Sequence, residues 1–175
     1  MASQAGAQTA SGGAGWGAEG HIASGSEVFL SRWFSDEWTL LFGGTAAVSS
    51  SKRNESSDKN EYKNLSLTAL LRRSWGSGSV RPFIGVGPSF TINQSKNTSN
   101  FSGAVNTSKD TGKSIGARGE FGALVPVASK VYLGLSTIVA YGHSSNESTN
   151  LTGKSKSSGN GVSAGNLQFL IGFRF

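Results

Sequence analysis

Toward its end the chain alternates. Leu167, Phe169, Ile171, Phe173 and Phe175 share one parity, while Asn166, Gln168, Gly172 and Arg174 share the other, with Leu170 the single exception. A period of two is how a strand with one apolar and one polar face reads. The same alternation recurs upstream. It predicts strands over about 13–23, 27–34, 38–50, 62–75, 81–95, 112–127 and 131–145, and a last strand ends the chain. The clearest is 112–127, where Ile115, Ala117, Phe121, Ala123 and Val125 alternate with Ser114, Gly116, Arg118, Glu120 and Gly122. Connections alternate in length: tight polar turns are predicted at 35–37, 76–80 and 128–130, and Ser/Thr/Asn-rich loops at 51–61, 96–111 and 146–160.

Such a pattern fits either of two barrels, and the polar face discriminates between them. A soluble barrel of the lipocalin kind turns its apolar set inward and shows Lys and Glu to water. Here the polar set is Gly, Ser, Thr and Asn with a few charges of both signs. Eight strands leave an interior just wide enough to be filled by side chains, and small residues suit it. The apolar set is therefore expected to face lipid, as in a transmembrane barrel. The terminal strand agrees, since no later segment covers its five large apolar side chains.

Composition narrows the field. There are 25 Gly, 3 Pro and no Cys, which excludes a disulfide framework and thiolate metal sites. Charged residues are 15%, against about a quarter in an ordinary soluble domain. The 10 Phe and 4 Trp argue against disorder. No run approaches the roughly 18 apolar residues of a spanning helix. Met1 to Gly15 has no basic start and apolar middle, so an exported chain is expected in its mature form. The net charge of +6 sits mostly on loop lysines without interleaved aromatics, which speaks against a nucleic-acid partner.

The expected fold is all-β: one eight-stranded antiparallel up-and-down transmembrane β-barrel over 13–175, preceded by a flexible segment, 1–12. The alternating strands, tight inner turns, polar outer loops and terminal Phe175 resemble the small OmpA/OmpX-type outer-membrane barrels. That resemblance implies a bacterial outer-membrane protein with periplasmic termini and extracellular loops. It implies contact with lipid and lipopolysaccharide, and with the barrel-assembly machinery during biogenesis, through the signal Leu167, Phe169, Ile171, Phe173 and Phe175. No cofactor and no metal are expected, and the barrel is expected to be a monomer.

Within this frame, Glu19, Arg72, Arg118, Glu120 and Arg174 carry the lumen parity and must pair there, because an unpaired buried charge is costly. Arg32 fits neither face cleanly. Trp33, Trp38 and Trp75, with Phe83 nearby, lie beside the short turns, and Tyr62 and Tyr141 lie toward the opposite strand ends; these are candidate aromatic girdles. His21 beside Glu19 reads as lumen packing, since two residues are too few for a metal cage. Lys52, Arg53, Lys59, Lys96, Lys109, Lys113, Lys154 and Lys156 lie in the expected outer loops, where they read either as a basic rim for lipopolysaccharide phosphates or simply as solvated loop charges.

The expected function is non-enzymatic: an envelope-structural or adhesive barrel. One alternative is a narrow pore for small solutes. Another rests on Y-G-H-S-S-N-E, which resembles the His-x-Ser-Asn element of outer-membrane lipid A deacylases. It would use His143, Ser145 and Glu147 as a triad, although no acid follows on the next strand, where that family carries it.

Overall fold

The computed structural model describes residues 14–23, 26–52, 58–76, 78–101, 104–165 and 167–175. The expected flexible segment, 1–12, lies outside the described residues. The strands are β1 (Gly15–Ile22), β2 (Glu27–Trp33), β3 (Trp38–Lys52), β4 (Lys59–Ser74), β5 (Arg81–Phe101), β6 (Ala104–Ala128), β7 (Val131–Asn150), β8 (Gly153–Ala164) and β9 (Gln168–Arg174). Each is antiparallel to its neighbours, and the ring closes where β9 pairs with β1 on one side and β7 on the other.

Nine segments make eight wall positions because β8 and β9 are successive parts of the last strand, both paired with β7. Ser136 lies opposite Gln168 and Val139 opposite Ala164, so three steps on β7 face four on the last strand. The extra residue is a bulge, and it reverses the parity of side chains on either side of it. Gly165 N donates to Ile138 O at 2.5 Å and Thr137 Oγ1 to Gly165 O at 3.1 Å, which holds the bulge in place.

The apolar set faces outward. Trp38, Leu40 and Phe42 on β3, Leu65, Leu67 and Leu71 on β4, and Ile84, Val86 and Phe90 on β5 are all exposed. Phe121 and Ile115 on β6, Leu133, Leu135 and Val139 on β7, and Phe169, Ile171 and Phe173 on β9 continue the belt around the ring. The exceptions to alternation have a place inside. Leu41 packs with Phe29 and Leu70, while Leu170 packs with Trp33, Phe83, Leu124 and Tyr132. An eight-stranded lumen is narrow enough for two such clusters to fill its lower part.

The expected long loops are instead mostly strand. The β5–β6 ladder continues to Phe101 opposite Ala104, and the β7–β8 ladder to Asn150 opposite Gly153. Segments 96–101, 104–111, 146–150 and 153–160, read from sequence as loop, are therefore a paired sheet. Both of its faces meet water, so no apolar parity marks it, and an alternation test cannot see it. Leu151 and Thr152 form the β7–β8 turn. Asn150 Oδ1 accepts from Thr152 N at 3.1 Å and from its Oγ1 at 2.8 Å, and Gly153 takes φ +140°.

The wall is uneven in height because β1 and β2 are short. β2 pairs with β3 no farther than Val28 opposite Gly44, and β1 meets β9 no farther than Ile22 opposite Phe169. Above that level, among the described residues, Thr45–Lys52 of β3 pairs only with β4, and β8 only with β7. Among the described strands, two edges without a partner flank a notch two strands wide, about 14 Å across at the usual strand spacing.

Candidate functional site

The lower lumen is an ionic plug built on cross-strand rows. Glu19 of β1 lies opposite Gly172 of β9, and Gly172 opposite Tyr132 of β7. Because Gly172 has no side chain, the Tyr132 ring lies across it; a Cβ there would sit 2.0 Å from Tyr132 Cζ. The Tyr132 hydroxyl thereby reaches Glu19 Oε2 and donates to it at 2.6 Å. In the neighbouring row Arg72 and Glu120 flank Gly85. Arg72 extends from there to grip Glu19 with both terminal nitrogens at 2.7 Å, and Nη2 also lies 3.4 Å from Glu120 Oε2. His21 Nε2 bonds Glu19 Oε1, and its Nδ1 stands 3.8 Å from Glu120 Oε1. Glu19, His21, Arg72 and Glu120 are all buried, and the Arg72 guanidinium lies 4.3 Å over the Phe83 ring.

Two further pairs bracket this cluster. Above it Arg118 takes Glu27 in a bidentate grip at 2.8 Å. Below it Arg174 Nη1 approaches Asp36 Oδ1 at 3.3 Å, and the guanidinium stacks 4.4 Å over Trp33. Planar forks matched to carboxylates are the geometry in which buried charge is tolerated. Arg174 is thus in a separate pair from Arg72 and Glu120. Glu27, Asp36 and Tyr132 are partners that the alternation did not single out. Glu27 and Tyr132 do carry lumen parity, the signal that would have found them; Asp36, in a turn, has no parity to read.

Above the plug the interior changes character. Tyr141, Gly142, Ser144, Gly161, Val162 and Ser163 border a cavity of about 230 Å³, with Ser89 and Ser114 on the adjoining β5 and β6. Ser66 and Thr91 are hydrogen-bonded at 3.1 Å across β4 and β5, and Asn64 Nδ2 bonds Asn93 Oδ1. The result is a polar, uncharged groove that reaches the β8 edge at Gly161–Ser163.

Several candidates are placed differently from expectation. Trp33 is not on an outer girdle: at 3% exposure it is inside, edge-on to Tyr132. Its parity is that of Phe29 and Ser31, which face the lumen. Tyr62 shares the inner face with Asn64, whose Nδ2 donates to the Tyr62 hydroxyl at 3.5 Å, so it too lies off the girdle. Trp38, Trp75 and Tyr141 are exposed on the outer face, with Trp16 beside them as an unforeseen fourth. Arg32 takes the outward parity and lies 5.1 Å from the Trp16 ring. Leu167, Phe169, Ile171, Phe173 and Phe175 are all exposed.

His143, Ser145 and Glu147 share the outer face of β7. His143 Nδ1 is engaged by Asn160 Oδ1 at 2.8 Å, and Glu147 Oε2 pairs with Lys156 Nζ at 3.3 Å. Among the described residues no hydrogen bond joins Ser145 to either, so the geometry is not that of an activated serine. Of the basic rim, Lys52, Lys96, Lys109, Lys113, Lys154 and Lys156 are exposed, and Arg53 lies outside the described residues. Lys59 is bonded to Glu61, and that hydrogen bond holds the Glu61 carboxyl below the ordinary carboxylate range.

No protein-family model matches the chain, and no curated protein matches it in sequence. Among solved structures it is similar to a major outer membrane protein from Thermus thermophilus, with TM-score 0.63 and 13% identity over 94% of this chain and 100% of that one. CarO and CarO2 of Acinetobacter baumannii align less well. CarO has TM-score 0.43, 11% identity and 92% and 97% coverage; CarO2 has 0.42, 12%, 94% and 100%. The Thermus likeness is one of fold. The chain has the ring of antiparallel strands seen in an outer-membrane barrel.

Proposed function

We propose that this chain is an integral, non-enzymatic protein of a bacterial outer membrane, with an envelope-structural or adhesive role carried by its tall outer sheet. One observation carries the reading. An apolar belt is exposed on the outside of the ring while Glu19, Arg72, Arg118 and Glu120 are sealed inside it. Water would favour the opposite arrangement, and hydrocarbon favours this one. The termini and tight turns face the periplasm, and the β5–β6 and β7–β8 hairpins face outward, where polar, weakly charged ladders meet the surroundings. The exposed apolar side chains of 167–175 serve as the signal for barrel assembly. The eight wall positions support kinship with the small OmpA/OmpX-type barrels.

Two measurements test this. Refolded into detergent micelles, the protein should migrate on gels as a β-rich, heat-modifiable species; a chain that is folded and soluble without detergent overturns the reading. The chain has no Cys, so a cysteine introduced at Ser157 on intact cells should react with a membrane-impermeant maleimide. Labelling only after lysis would reverse the orientation. A pore is disfavoured because the plug fills the lower lumen. Planar bilayers should show little steady current, and a large stable conductance would replace the structural role with transport.

A further inference from the structure

The notch between β3 and β8 opens at the upper edge of the apolar belt, where Ala46 lies opposite Leu65 and Val48 opposite Lys63. On β3 the outward series Trp38, Leu40 and Phe42 continues through Ala46 to Val48, beyond the last pairing with β2. On the opposite edge Val162 is likewise exposed. An edge strand leaves alternate residues with unpaired N–H and C=O groups. Among the described residues no strand pairs with the open side of Thr45–Val48 or of Gly161–Ala164, and hydrocarbon cannot satisfy such groups. Something polar must stand in the notch while something apolar stands outside it.

We propose that the notch seats a phosphorylated lipid of the surrounding leaflet. Its acyl chains stay in the bilayer against Val48 and Val162. Its headgroup passes between the free edges into the polar groove, and its phosphate lies on Lys52 and Lys63. The inference rests on the membrane-embedded reading above.

Three observations favour this occupant over a strand from a second copy. The groove behind the notch offers Ser114, Ser144 and Ser163, and a Cβ at Gly159 or Gly161 would meet nothing within 4 Å, so a headgroup has both hydroxyl partners and room. Two lysines stand at the notch: Lys63 lies opposite Val48, and Lys52 rises above Val48 on the same face. Glu61, the adjacent carboxylate, is engaged by Lys59. Arg118 is held by Glu27, so the anion contact falls to Lys52 and to Lys63, which also acts on Glu61 at longer range. An added strand fits worse, because one strand satisfies one edge of a two-strand gap and would align its backbone along Lys52 and the Gly-rich stretch 159–161.

The test uses the full chain in phosphatidylcholine nanodiscs with and without lipid A, followed by native mass spectrometry after transfer to detergent. The wild type should retain one lipid A. K52Q/K63Q should weaken retention by about 30-fold, from the usual contribution of two lysines at an anionic surface. K96Q/K109Q, on the far hairpin, should leave it unchanged. G161W, which fills the groove with both lysines intact, should abolish it; S163F is a second filling variant if G161W loses its heat-dependent gel shift. Equal losses in the two lysine pairs, or undiminished retention in a folded filling variant, would overturn the seat. Failure of the wild type to enter nanodiscs would instead overturn the membrane reading beneath it.

Discussion

Arg72 is the position on which the plug depends. Its side chain is fully buried and makes two charge-assisted bonds to Glu19 at 2.7 Å and a longer contact to Glu120 at 3.4 Å. In Arg72→Met the volume is largely retained but both carboxylates lose their cation. Glu19 keeps Tyr132 and His21, while among the described residues Glu120 keeps only the distant His21 Nδ1. Two good charged hydrogen bonds are each worth about 1.5–3 kcal/mol. Stripping one partner from a buried pair typically costs about 3–5 kcal/mol. The two routes agree, and R72M should lose about 3–5 kcal/mol. Urea unfolding in a fixed detergent, followed by tryptophan emission, would measure it. E19Q/R72M removes the strongest uncompensated charge along with its partner and should recover part of the loss, so the two changes should not add. A loss under about 1 kcal/mol for R72M, or strict additivity of the two singles, would refute the idea that these groups act as one buried network.

Two further outcomes follow from the same geometry. Gly172→Ala places a methyl where the Tyr132 ring lies, with 2.0 Å to Cζ, so it should cost about 1–3 kcal/mol by overpacking; G172A/Y132L, with the ring gone, should be milder than G172A alone in the same urea assay. Of the four tryptophans, Trp16, Trp38 and Trp75 are exposed on the outside and Trp33 is inside. Single-tryptophan variants in brominated phosphatidylcholine should therefore be quenched in the first three cases and spared in the Trp33-only protein, and strong quenching of Trp33 would place it back on the outer girdle.

How much of this was legible in the sequence depended on contrast between faces. β6 was clear because Ile115, Phe121 and Val125 alternate with Ser114, Arg118 and Glu120, and burial asymmetry is what alternation records. Beyond Lys113 the same strand runs on through Thr111, Asp110 and Lys109 with water on both sides, and the signal vanishes although the hydrogen bonds do not. Trp33 failed for a different reason. Its nearness to a turn suggested a girdle, yet its parity with Phe29 and Ser31 pointed inward, and parity won because one step along a strand exchanges faces. The lumen charges were legible as a set but not as pairs. Register decides which meet, and the bulge between Ala164 and Gln168 shifts the last strand by a residue that no local sequence pattern announces. The notch was hidden because it arises from a difference in strand length, seven residues in β2 against fifteen in β3, which local periodicity does not compare.

Why the plug is ionic is a question of register rather than of stability. Well-packed apolar replacements of buried ion groups are often neutral, or stabilising by about 1–4 kcal/mol. A leucine-filled lumen, however, would make each strand apolar on both faces, and nothing would then penalise a one-residue slip. With Glu19, Arg72, Arg118 and Glu120 in place, a slipped strand turns charge toward lipid, at about 2–4 kcal/mol for each mid-bilayer arginine, and loses its partner as well. The triple variant E19L/R72M/E120L is therefore expected to unfold at the same or higher urea concentration than the wild type. Its amide spectrum in micelles should nevertheless show more than one set of peaks for β1 and β4, where slippage is no longer opposed. A single wild-type-like set would mean that the turns and the bulge alone fix the register, and that the buried charges serve some other purpose.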